Sequence, residues 1–124
     1  HRVAQKPGKP IFFGILEEKL VFGLPGNPAS VMSCFRQYVL PAIQIMSGKS
    51  LEEPIMGKLK HSYEKQSSLC FFLKGRVENG IVSVLGGQAS YQQNSFVQAN
   101  CWIELDAQQH RFEQFSMVKL HPFH

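Results

Sequence analysis

Between Ser47 and Pro54 the sequence changes period, and that change restricts what the chain can fold into. Before it, Val31, Cys34, Phe35, Tyr38, Val39, Ala42, Ile43 and Met46 recur at three- and four-residue spacing, the apolar face of one helix of about five turns. Asn27 is a good helix cap and Pro28 falls at the first helical position, where a missing N–H costs nothing, so the helix starts there. Ser47-Gly48 ends it. Pro41 removes the bond to the carbonyl of Gln37 and predicts a kink. After Pro54 the apolar residues come in short β-prone stretches, at 55–59, 69–77, 81–85, 96–105 and 116–120. Asn79-Gly80 is a two-residue turn signal that folds 69–85 into a hairpin. Short strands at this spacing predict a small closed or half-closed β-barrel.

Upstream of the helix, 11–16 and 20–24 read as two strands joined by the polar turn Glu17-Glu18-Lys19. At 124 residues and 44% hydrophobic, the chain is long enough to bury a core. It opens on His1 within a motif-rich loop, so we expect a piece of a longer protein. Cys34, Cys70 and Cys101 cannot all pair with one another and form no CxxC, which fits a reducing, cytoplasmic setting. No apolar run reaches the roughly eighteen residues of a membrane-spanning helix. His121 and His124 lie close in sequence at one end, but two ligands do not complete a tetrahedral metal site, and they read as solvated. Glu17, Glu18, Glu52 and Glu53 likewise read as solvated charges.

Charge is distributed unevenly. Residues 1–49 hold six basic side chains against two acidic ones, whereas the remainder holds seven of each. The excess of +4 therefore belongs to the first two-fifths of the chain and favours an anionic partner there. The neutral β-rich part carries no basic strand interleaved with aromatics, so nucleic acid is not expected as a partner.

Two segments in the basic part suit an oxyanion. Lys6-Pro7-Gly8-Lys9-Pro10 reads as a rigid, strand-free loop that holds two ammonium groups near each other. Pro25-Gly26-Asn27-Pro28 runs straight into a helix, whose first turn offers N–H groups and the hydroxyl of Ser30 to phosphate or molybdate. It is not a Walker loop, because no GK[ST] follows.

Together, Lys6-Pro7-Gly8-Lys9-Pro10, Phe13-Gly14 and Val21-Phe22-Gly23-Leu24-Pro25-Gly26-Asn27-Pro28-Ala29-Ser30 closely resemble the corresponding run of the molybdopterin molybdenumtransferase family, MoeA and the gephyrin E domain. The LPGNP element alone is shared with MogA-type adenylyltransferases. Gly86-Gly87-Gln88-Ala89-Ser90 and Ala99-Asn100-Cys101-Trp102-Ile103-Glu104 resemble elements of the small C-terminal barrel found only in the MoeA type.

The resemblance implies an α/β tail, residues 1–48, formed by the strand pair and helix of a MogA-like molybdopterin-binding domain. An all-β barrel domain, residues 49–124, follows it. It implies insertion of molybdate into adenylylated molybdopterin with release of AMP, dependent on Mg2+, in a homodimer, with a MogA-like adenylyltransferase as a further partner. By position, Lys6, Ser30 and Ser90 match family residues of the molybdate cleft. Arg2 and Lys9 add charge, and Lys74 stands where the family usually has arginine. Pro25, Gly26, Asn27 and Pro28 match the molybdopterin loop. The metal-binding acids and the catalytic residues are expected upstream of His1, so the stretch alone is expected to be inactive. A non-catalytic interaction module of the gephyrin type is the alternative reading.

Overall fold

The computed structural model of the chain describes residues 4–51, 53–88 and 94–123. A two-residue strand β1 (Gln5–Lys6) precedes the hairpin β2 (Phe12–Leu16) and β3 (Lys19–Gly23). The helix follows as α1 (Pro28–Cys34), a π-helical turn (Phe35–Val39) and α2 (Leu40–Met46). Then come β4 (Ile55–Leu59), β5 (Tyr63–Glu64), β6 (Cys70–Glu78), β7 (Ile81–Val84), a short α3 (Asn94–Gln98), β8 (Cys101–Leu105), β9 (Arg111–Phe112) and β10 (Met117–Pro122).

The barrel closes. In the order β6, β7, β4, β10, β8 each strand pairs with the next, and β8 pairs back onto β6. Side chains alternate across each strand, so one set fills the interior. Leu59, Leu73, Val82, Ile103, Leu105, Val118 and Leu120 form that core. A five-strand ring leaves little room inside, and Gly75 shows how little. A Cβ there would lie 2.6 Å from Ile103 Cδ1. The opposite faces of β6 and β8 carry Phe72 and Trp102, which pack on Ala29 of α1 and on Phe96 and Phe123. This second cluster seats the helix on the barrel.

The helix begins as the sequence predicts. Asn27 Oδ1 accepts from the amides of Ala29 at 3.0 Å and Ser30 at 3.3 Å. It ends with Lys49 N–H bonded to Gln44 O and Gly48 N–H to Ile45 O, Gly48 adopting φ +74. We expect Asn27→Ala to cost about 1 kcal/mol in urea unfolding, since both amides lose their acceptor. The interruption expected at Pro41 falls earlier, as the π turn 35–39 closed by Leu40 N–H to Phe35 O. The wider turn leaves Pro41 in the first turn of α2, where its absent N–H is tolerated.

Three other expectations change. The opening loop is not strand-free, because Gln5 and Lys6 run parallel to Cys70 and Phe71 of β6. The stretch 96–105 is not one strand. Asn100 pairs its side-chain amide with both backbone groups of Val77, at 2.8 and 2.9 Å, so the ladder stops there and the chain before it turns helical. Lys19 belongs to β3, which leaves a two-residue turn with Glu17 and Glu18 both at positive φ.

His121 is not simply solvated. Its Nε2 lies 2.6 Å from Glu104 Oε2, each side chain about a quarter exposed. The hydrogen bond from His121 holds the Glu104 carboxyl below its ordinary value of 4.5, against the opposing effect of burial. Because the folded-state value is depressed, the pair stabilises the fold above the unfolded carboxylate range. That stability is lost as pH falls through the folded value. Thermal melts from pH 7 down to pH 3 should show a loss that Glu104→Gln makes shallower; parallel curves would contradict it.

Candidate functional site

A cavity of about 650 Å³ opens where β1 and the turn after it meet α1 and the start of β6. Lys6, Lys9, Asn27 and Ser30 line it on one part of the wall, with Phe71, Phe72 and Gln88 on another.

Its basic edge is built from inside. Gln5 is buried, donates from Nε2 to Pro7 O at 3.1 Å and accepts at Oε1 from Tyr38 Oη at 2.5 Å. Gly8 takes φ +93 and packs so closely on the helix that a Cβ would lie 2.6 Å from Cys34 Sγ. That thiol donates to Gly8 O at 3.5 Å. Tyr38 and Cys34 thus tie the loop to the helix while the two lysine side chains stay exposed. Lys6 Nζ lies 5.7 Å from the Phe71 ring centroid. Lys65 Nζ lies 5.5 Å from the same ring, although Lys65 is buried and donates to Leu69 O and Ala107 O. One aromatic ring therefore sits near two ammonium groups.

The helix end differs from expectation. The amides of Ala29 and Ser30 are spent on Asn27 Oδ1, that of Val31 bonds Asn27 O at 2.8 Å, and Pro28 has none. An asparagine cap satisfies the donors that an anion would otherwise use. What remains for a ligand is the Ser30 hydroxyl, on a residue 8% exposed. Pro25, Gly26 and Pro28 do not line this cavity, and Gly26 faces open space.

Lys74 is set back from the cavity. It is 1% exposed, donates from Nζ to Gly87 O at 2.5 Å and lies 4.7 Å from the Phe96 ring centroid. Burial pushes its pKa down. Arg2 and Ser90 lie outside the described residues. Burial raises the Cys34 thiol and pushes Cys70 and Cys101 up to about 11, so all three stay protonated at neutral pH. Among the described residues no three His, Cys, Asp or Glu gather as metal ligands. Among the described residues, no Asp or Glu lines the cavity. Nor is any helix of the described residues long and apolar enough to cross a membrane.

Sequence reasoning gave no role to Gln5 or Gln88. Gln88 was visible inside a family-like motif, whereas nothing local marked Gln5, whose side-chain partner Tyr38 lies 33 residues along the chain.

The family "Probable molybdopterin binding domain" matches residues 1–45. A molybdopterin molybdenumtransferase of Haemophilus influenzae is 33% identical across 98% of this chain. Over nearly its whole length the chain is similar to molybdopterin molybdenumtransferases. The molybdenum cofactor synthesis protein cinnamon of Drosophila melanogaster is 34% identical over 86% of the chain and 19% of its own length. A crystal structure of the molybdopterin biosynthesis protein MoeA of Pyrococcus horikoshii superposes on 99% of it, with a TM-score of 0.82 and 27% identity. Like that structure, of which it covers 31%, the Haemophilus molybdenumtransferase is about three times longer, the chain covering 32% of it.

Proposed function

We propose that this chain supplies the molybdate-receiving wall of a molybdenum insertase, which converts adenylylated molybdopterin and molybdate into molybdenum cofactor and AMP. The observation that carries the reading is the convergence of Lys6, Lys9 and Ser30 on one cavity, beside the apolar faces of Phe71 and Phe72. Molybdate is a tetrahedral dianion that must approach an already anionic substrate. Fixed ammonium groups offset that repulsion, and more strongly where aromatic walls lower the local dielectric. The Ser30 hydroxyl donates one hydrogen bond to an oxyanion oxygen.

Arg2 and Ser90 belong to the same site in this reading, Pro25 to Pro28 shape the molybdopterin side of the cleft, and Lys74 acts from behind the wall. Residues 1–48 belong to the molybdopterin-binding unit and residues 49–124 to the barrel unit. The β1–β6 pairing ties the two together. Magnesium, which assists the chemistry of the phosphate groups, is held by acidic residues of the enzyme beyond this stretch. The enzyme works as a cytoplasmic homodimer that takes its substrate from a MogA-like adenylyltransferase, and the stretch alone is inactive.

The gephyrin-type interaction reading draws on one observation, the exposure of Phe12, Phe13, Ile15 and Leu16 on the hairpin. The deciding assay supplies adenylylated molybdopterin, molybdate and Mg2+ to the protein that carries this stretch, and follows AMP release. Molybdate-dependent AMP release is expected. Its absence from a folded, substrate-binding protein overturns the insertase reading in favour of the interaction module.

A further inference from the structure

Gln88 lines the cavity, yet its side chain is spent elsewhere. Its Oε1 accepts from Lys74 N–H at 2.8 Å, and its Nε2 donates to Lys74 O at 2.9 Å and Leu85 O at 2.5 Å. A primary amide has two N–H donors, and both are used. The place is specific. β7 ends at Val84, Leu85 N–H makes a last bond to Lys74 O at 3.1 Å, and on that side of β6 the next strand, β1, pairs only with Cys70 and Phe71. The Gln88 amide occupies that next position as a backbone peptide would.

The residue before it is gripped as well. Gly87 O accepts from Lys74 Nζ at 2.5 Å and from Ser95 Oγ of α3 at 2.8 Å. These five hydrogen bonds hold the segment 86–88, and three of them are to one residue of β6. Lys74 contributes its backbone to Gln88 and its ammonium to Gly87.

We propose that Gln88, braced by Lys74, is a positioning residue: held in place at the edge of the oxyanion cavity, it fixes that part of the wall, and so sets how closely a tetrahedral dianion fits between it and the lysines. The inference rests on the insertase reading of the cavity and adds to it a determinant of anion selectivity that acts through the shape of the wall, the Gln88 amide being spent on Lys74 and Leu85. A site whose wall is fixed discriminates by size, because molybdate is larger than sulfate and a rigid wall cannot adjust to both.

The test uses Gln88→Ala and Gln88→Glu in the protein that carries this stretch. Glutamate keeps an acceptor for Lys74 N–H but turns an oxygen toward the carbonyls of Lys74 and Leu85, so it should not rescue the position. Molybdate and sulfate binding are measured by equilibrium dialysis, and exchange of the Lys74 amide is followed by NMR. Gln88→Ala is expected to exchange the Lys74 amide about tenfold faster, and both variants to bind molybdate about tenfold more weakly and to lose preference for molybdate over sulfate. Faster exchange with unchanged affinity and unchanged preference overturns the positioning role. If Lys6→Ala still weakens binding in that case, the insertase reading stands without it. If the unaltered protein binds no molybdate, the insertase reading falls and this inference falls with it.

Discussion

Replacing Lys6 by alanine is expected to weaken molybdate binding by about ten- to a hundredfold with little change in thermal stability. The reason for the split is in the construction of β1. Its pairing with Cys70 and Phe71 is made by the backbone, and the anchoring bonds belong to Gln5, Gly8, Tyr38 and Cys34. The Lys6 side chain is exposed, and its ammonium lies 5.7 Å from the centre of the Phe71 ring. Removing the ammonium therefore removes charge from the cavity and leaves the loop in place. Lys6→Arg should retain most of the affinity, because the charge persists even though the shape of the donor changes. Unchanged binding in Lys6→Ala would mean that the dianion is held elsewhere.

Trp102→Ala is expected to cost about 3–5 kcal/mol, which lowers the melting temperature by roughly 10–20 °C. Trp102 is 1% exposed and stands at the centre of the cluster that seats the helix on the barrel. Its ring lies 5.6 Å from that of Phe96 and 5.9 Å from that of Phe123, both edge-on. Its indole N–H has no hydrogen-bond partner among the described residues, so the loss is one of packing alone. Since a fold of this size has about 5–15 kcal/mol in total, the variant approaches the limit of stability. Chemical denaturation measures the cost directly. A loss below about 1 kcal/mol would show that the helix and barrel hold together without this cluster.

Features encoded by neighbouring residues were legible in the sequence. The Asn27 cap, the Gly48 stop and the Asn79-Gly80 hairpin each depend on two or three adjacent side chains, and each appears where expected. The five barrel strands were legible as short β-prone apolar stretches, because local residue preference reports a half-buried surface whatever the partner. Features that depend on distant partners were not legible. β1 has only two residues and exists because β6 offers an edge about 65 positions later. Residues 96–98 of the short helix looked like the start of a strand because Phe96 and Val97 are β-prone; the side chain of Asn100 ends the ladder first.

The site was legible in part for the same reason. Lys6, Lys9 and Ser30 were identified from their residue types and spacing, and they do meet at one cavity. The free amides anticipated at the helix end are absent because Asn27, read as a cap, uses them itself. Lys74 carried charge in the sequence, but its position on the outward face of β6 puts it under α3 and onto Gly87. A charge count says nothing about which way a strand residue points.

The most direct measurement is the position of molybdenum itself, read from its anomalous scattering in crystals of the protein soaked in molybdate. The account predicts a site in the cavity beside Phe71 and Phe72, with oxyanion oxygens within hydrogen-bonding reach of Lys6 Nζ and Ser30 Oγ. Molybdenum bound only away from that cavity would contradict it.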